Sequence, residues 1–222
     1  MFEKLLKKLQ AMGRPPVVFD PARFNDPLAL QTEWSPLRAG GTNFRTHKLV
    51  TLHADRLEFQ AATGAKLFCV FFALVGALLP CVFLALLFLN EEFAVDMGPV
   101  IIVPLLMGLI FLSVGVGMYY YGTAPIVFDK FRGCFWKGRK APNEVLDISA
   151  LKNACRLEDI HALQLISEYV RGNKSAYYSY EMNLVLNDGK RLNVVDHGNQ
   201  AKLREDAQTL ATFLNVPVWD AT

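Results

Sequence analysis

The residues able to do chemistry are few and scattered. Asp196 and His197 adjoin in the run Asp196-His197-Gly198-Asn199. A carboxylate beside an imidazole is the pairing a general base needs. The same run also reads as the end of a strand leading into a helix cap supplied by Asn199, and that reading is preferred. Asp129 is the further carboxylate that could join Asp196 and His197 in a cleft close to a bilayer. That constellation would suit an enzyme acting on a lipid or a peptidoglycan precursor. His47, His53, His161 and His197 show neither H-E-x-x-H nor H-x-H spacing, so no metal site is predicted. Cys69, Cys81, Cys134 and Cys155 contain no C-x-x-C pair, which predicts free thiols rather than zinc or redox chemistry. No G-x-S-x-G, P-loop or G-x-G-x-x-G occurs, and Gly138-Arg139-Lys140 is a basic turn rather than a phosphate cradle. The expectation is a non-enzymatic protein without a cofactor.

One cationic group remains. Lys130, Arg132, Lys137, Arg139 and Lys140 follow closely on the second of two apolar stretches. A Lys or Arg beside an anionic leaflet contributes ~1 kcal/mol, so these five are candidate lipid head-group contacts. Ordinary membrane topology also calls for such charges.

The apolar stretches organise everything else. Residues 67–89 and 99–121 lack charge and histidine. At ~1.5 Å rise per residue, each reaches across a hydrocarbon core of ~30 Å as a helix. In lipid the backbone must satisfy its own polar groups, so a two-helix transmembrane hairpin over residues 67–121 is predicted. Pro80 should kink the first helix, while Pro104 falls near the start of the second, where a missing donor costs least. Gly108, Gly115 and Gly117 offer shallow places for close approach, with Gly115 at or near the helix contact. The spans hold no ionisable residue apart from cysteine and tyrosine, which argues against an ion pathway. The connecting residues 90–98 carry Glu91, Glu92 and Asp96 but no Lys or Arg. Basic residues flank the other ends, so the positive-inside rule predicts both termini in the cytoplasm of a bacterial inner membrane, with Tyr119–Tyr121 as an interfacial anchor.

The chain has 222 residues and a net charge of +2. That balance gives no case for a nucleic-acid partner. Residues 1–47 read as a short amphipathic segment, spacing Phe2, Leu5, Leu6 and Leu9 on one face, then an ordered loop anchored by Trp34. Residues 48–53 and 56–61 read as strands joining the cytoplasmic domain of residues 122–222. In that domain, strands are predicted at 126–129, 133–137, 160–170, 177–186 and 191–195, with a helix at 200–214. The helix places Leu203, Ala207, Leu210, Ala211 and Leu214 in one stripe against the sheet. Between the last two strands, a three-residue turn with Gly189 at positive φ would set Leu184 opposite Leu192 and Met182 opposite Val194.

The predicted fold class is thus α+β: a two-helix transmembrane hairpin plus a bent antiparallel sheet capped by a C-terminal helix. Ile126-Val127-Phe128-Asp129, Gly133-Cys134-Phe135-Trp136-Lys137-Gly138 and Leu157-Glu158-Asp159-Ile160 resemble successive strands of pleckstrin-homology-like (PH-like) domains in bacterial two-span membrane proteins. The layout is also similar to a photosystem I assembly factor of thylakoids. The resemblance spans roughly residues 48–219 and implies binding or scaffolding of a protein partner: a scaffold, assembly factor or immunity-type role. Anionic-lipid recognition is the alternative expectation.

Overall fold

The computed structural model describes residues 19–89, 102–142, 153–171 and 176–222. The amphipathic segment at residues 1–11, the acidic connection at 90–98 and most of the polar connector at 139–154 therefore lie outside the described residues.

Two long apolar helices pack against each other: α2 (Thr63–Leu89) and α3 (Ile102–Gly122), after a single-turn helix α1 (Pro27–Gln31). Both α2 and α3 have the length and apolarity of membrane spans, and most of their surface is uncovered by protein. The buried core of a soluble domain would show the reverse. Their contact is made through glycine. A β-carbon on Gly115 would come within 2.9 Å of the Ala73 Cα, and one on Gly76 within 2.7 Å of the Gly108 carbonyl oxygen. Gly117 has nothing within 4 Å of such an atom, so it lies off the seam.

Among the described residues, nine strands form two sheets. The first has the order β1-β2-β3-β4-β5, from β1 (His47–His53), β2 (Arg56–Ala61), β3 (Ile126–Asp129), β4 (Cys134–Lys137) and β5 (Ala154–Arg156). The second has the order β8-β7-β6-β9, from β6 (Ile160–Arg171), β7 (Ala176–Leu186), β8 (Arg191–His197) and β9 (Val218–Ala221). The predicted single antiparallel sheet is thus two sheets. β1 and β2 join only the first, through the pairing of β2 with β3. The helical hairpin therefore connects neighbouring strands of one sheet.

The core lies between the sheets. Leu57, Phe59, Phe128 and Phe135 of the first meet Leu163, Leu165, Met182 and Leu184 of the second. Helix α4 (Gln200–Leu214) adds Leu203, Ala207 and Leu210, each with no exposed surface, while Leu214 packs partly buried at the margin. Local chemistry fixes the ends of α4. The Asn199 side chain accepts from the Lys202 amide at 3.0 Å, and Asn215 turns left-handed at φ 58°. Beyond it, Trp219 tucks back within a strand. β9 runs parallel to β6, a pairing with no local sequence signal, which makes the second sheet mixed.

The β7–β8 turn follows the predicted register at its tip. Gly189 has φ 80°, the Leu186 amide donates to the Lys190 carbonyl, and Leu184 faces Leu192. Two residues further on the expectation fails: Met182 faces Val195, not Val194. The extra residue on β8 is a bulge that buries both Val194 and Val195.

The outer face of the second sheet is also buried, beneath the chain before β1. Glu181 accepts from the Leu37 and Arg38 amides at 2.9 and 3.0 Å, and Glu168 from the Gly40 amide. Trp34 stacks on Phe24 at 5.3 Å, and both rings lie 6.0 Å from Trp219. The anchoring role predicted for Trp34 is therefore met on the outer face, not in the core between the sheets.

Candidate functional site

The β2–β3 pair has two distinct ends. Phe59 opposite Ile126 marks the end from which α2 and α3 spring, and Arg56 opposite Asp129 marks the other. The β1–β2 turn and the β3–β4 turn both lie at that far end, joined by the Lys130 amide donating to the Asp55 carbonyl. At ~3.3 Å per residue, β3 carries the chain roughly 13 Å away from the helices.

This geometry divides the five candidate head-group cations. Lys130 and Arg132 are on the far turn, where with Arg156 they line a cleft of about 580 Å³. Lys130 Nζ also lies 4.5 Å from the centre of the Phe213 ring. Lys137, Arg139 and Lys140 return to the helix end. Arg139 caps α3: its guanidinium donates to the Tyr119 and Tyr120 carbonyls and to Thr123 Oγ1, a favourable position for a cation at a helix C-terminus. Lys140 is exposed. Lys137 is largely enclosed, and burial pulls its ammonium down to about 8.

The residues that suggested catalysis are likewise separated. Asp129 sits at the far end, accepting from the Arg132 amide at 2.9 Å and from Arg56 at 3.2 Å. Both bonds hold the turn. His197 has no exposed surface, and its Nδ1 accepts from the Asn199 amide at 3.0 Å. Burial, then the Arg45 charge, lowers its pKa to about 4, so the ring is neutral. The preferred reading of a strand end leading to a cap describes it. His161 pairs with Asp26 at 2.7 Å. All four cysteines are free thiols.

Lys137 leads to a site that sequence reasoning missed. It lines a pocket of about 480 Å³ where the two sheets meet the end of α3. Its Nζ donates to Asn193 Oδ1 at 3.0 Å, and Asn193 donates to Asp196 at 3.1 Å. Burial raises the Asp196 carboxyl above its usual range. His47 enters the same pocket, with its Nδ1 3.1 Å from Thr46 Oγ1. Next to it lies a cavity of about 900 Å³ with almost wholly apolar walls, between residues 44–46 and the ends of α2 and α3. Thr46, Tyr121 and Gly122 line both spaces. Lys137 lies 56 residues before Asn193, so no local motif could signal the pocket.

No known protein family, curated protein or solved structure matches the chain.

Proposed function

We propose that the chain is a non-enzymatic, membrane-tethered interaction module. In this reading α2 and α3 span a bacterial inner membrane with both termini cytoplasmic. The two facing sheets closed by α4 form a PH-like domain that serves a protein partner. The carrying observation is Phe131. Its side chain is 93% exposed at the tip of the far turn, between Lys130 and Arg132. An apolar ring in water gains from being covered, and aromatic and Arg side chains dominate binding energy at interfaces. The turn faces away from the helices, so a partner approaching from the cytoplasm reaches it without crossing the bilayer.

Affinity capture of the full chain from its native membrane in mild detergent tests this. A partner retained by the wild type should be lost by at least tenfold in Phe131→Ala and in the Lys130→Glu/Arg132→Glu double variant. Failure to capture a partner, or equal capture by all three proteins, defeats the proposal.

A further inference from the structure

The polar pocket and the apolar cavity at the helix–sheet junction together have the form of a single amphipathic site. The larger space alone falls within the volume range of ligand sites, ~300–1,000 Å³. Phe44, Phe68 and Tyr121 on its walls keep 57%, 52% and 79% of their surface exposed, so it opens outward beside the helices. The Cβ directions of Gly64 and Gly117, both on its walls, meet nothing within 4 Å. The space is therefore left open by small residues and is not closed by neighbouring side chains.

The adjoining pocket has polar groups left over. An ammonium carries three donors. Among the described residues, Asn193 Oδ1 is the one hydrogen-bond acceptor recorded for Lys137 Nζ. The His47 ring lines the same pocket. Of the charges near Lys137, Glu181 is committed to the Leu37 and Arg38 amides and Asp196 accepts from Asn193. Arg38 stands exposed at the rim. Buried donors without acceptors are costly, and an entering anion would supply acceptors.

We propose that this junction binds one anionic membrane phospholipid, with an acyl chain along the apolar cavity and the phosphate at Lys137, His47 and Arg38. The occupant follows from three features: apolar walls continuous with two span-like helices, cationic donors at one end, and an opening beside the helices. An acyl chain gains little by moving from bilayer to cavity, since both are apolar. Discrimination therefore falls to the head group. The inference is independent of the protein partner proposed for the far turn, and it moves lipid recognition from Lys130 and Arg132 to the helix end of the domain.

Native mass spectrometry of the full chain released from mixed phosphatidylglycerol and phosphatidylcholine nanodiscs tests it. The wild type should retain one phosphatidylglycerol with at least tenfold preference over phosphatidylcholine. Gly117→Leu fills the cavity from a helix position with room for it, and should cut retention at least tenfold with an unchanged thermal melt. Arg38→Gln and Lys137→Gln should reduce the head-group preference. If Lys137→Gln melts early, Gly117→Leu and Arg38→Gln decide the matter. Glycerophosphate alone should not bind measurably. Equal retention of the two lipids, undiminished retention by Gly117→Leu, or tight binding of glycerophosphate overturns the proposal.

Discussion

The Pro80 ring of α2 lies against the bare Cα of Gly108 on α3, in the space a side chain there would occupy. A β-carbon on Gly108 would stand 2.7 Å from Pro80 Cδ and 2.7 Å from the Gly76 carbonyl oxygen. Proline removes a helix donor, and its ring adds bulk on the helix surface. Here that bulk is accommodated by the absence of any side chain across the seam.

Gly108→Ala should therefore force the helices apart and destabilise their packing by roughly 1–3 kcal/mol, the usual cost of overpacking. Gly117→Ala, directed into open space, should leave the packing unchanged. Thermal melts in detergent compare the two. Equal melting temperatures would mean that the seam yields at little cost.

Glu181 holds the segment before β1 onto the second sheet. Its carboxylate accepts from the Leu37 and Arg38 amides and, at 2.6 Å, from Asn183 Nδ2, while the residue is only 4% exposed. Glu181→Ala takes the acceptor from two part-buried amides and the shorter bond from Asn183, a cost of roughly 1–3 kcal/mol. The Leu37 and Arg38 amides should exchange hydrogen much faster in the variant. Unchanged exchange would assign the hold to the Trp34–Phe24–Trp219 cluster instead.

His197 makes stability depend on pH. Its pKa falls from 6.5 in the unfolded chain to about 4 in the fold. The unfolded state therefore binds more protons between those values, and stability rises with pH there. The contribution is fully present above pH 6.5 and is lost as pH falls toward 4; its size is on the order of 3 kcal/mol. His197→Asn keeps an acceptor near the Nδ1 position without a titrating ring, so it should flatten this part of the stability–pH curve. An imidazole that titrates near 6.5 by NMR in the folded protein would contradict the account.

What could be read along the chain was whatever depends on neighbours in sequence. The stripe from Leu203 to Leu214, the Asn199 cap and the left-handed Asn215 fix α4 because a helix makes its contacts within four residues. The two apolar helices follow from length and the absence of charge, and Gly189 sets its turn through its own φ. The contact at Gly115 was foreseeable because a bare helix face admits close approach, whereas Gly117, equally bare, lies off the seam.

Tertiary structure decided whatever required distant residues to meet. β9 lies parallel to β6 because a strand of four residues is stabilised by its partner and not by its own pattern. The outer face of β7 carries the polar Ser179, Glu181 and Asn183. It is buried because the chain 140 or so residues earlier brings amides to Glu181, as the Leu37 and Arg38 bonds record. The Val194 bulge places two adjacent valines in one core, which simple alternation forbids. The basic residues looked like one cluster because they adjoin in sequence. A four-residue strand out and back separates Lys130 and Arg132 from Lys137 and Arg139, and only that separation encloses Lys137. Local chemistry chose the elements, and long-range packing chose which of their faces water can reach.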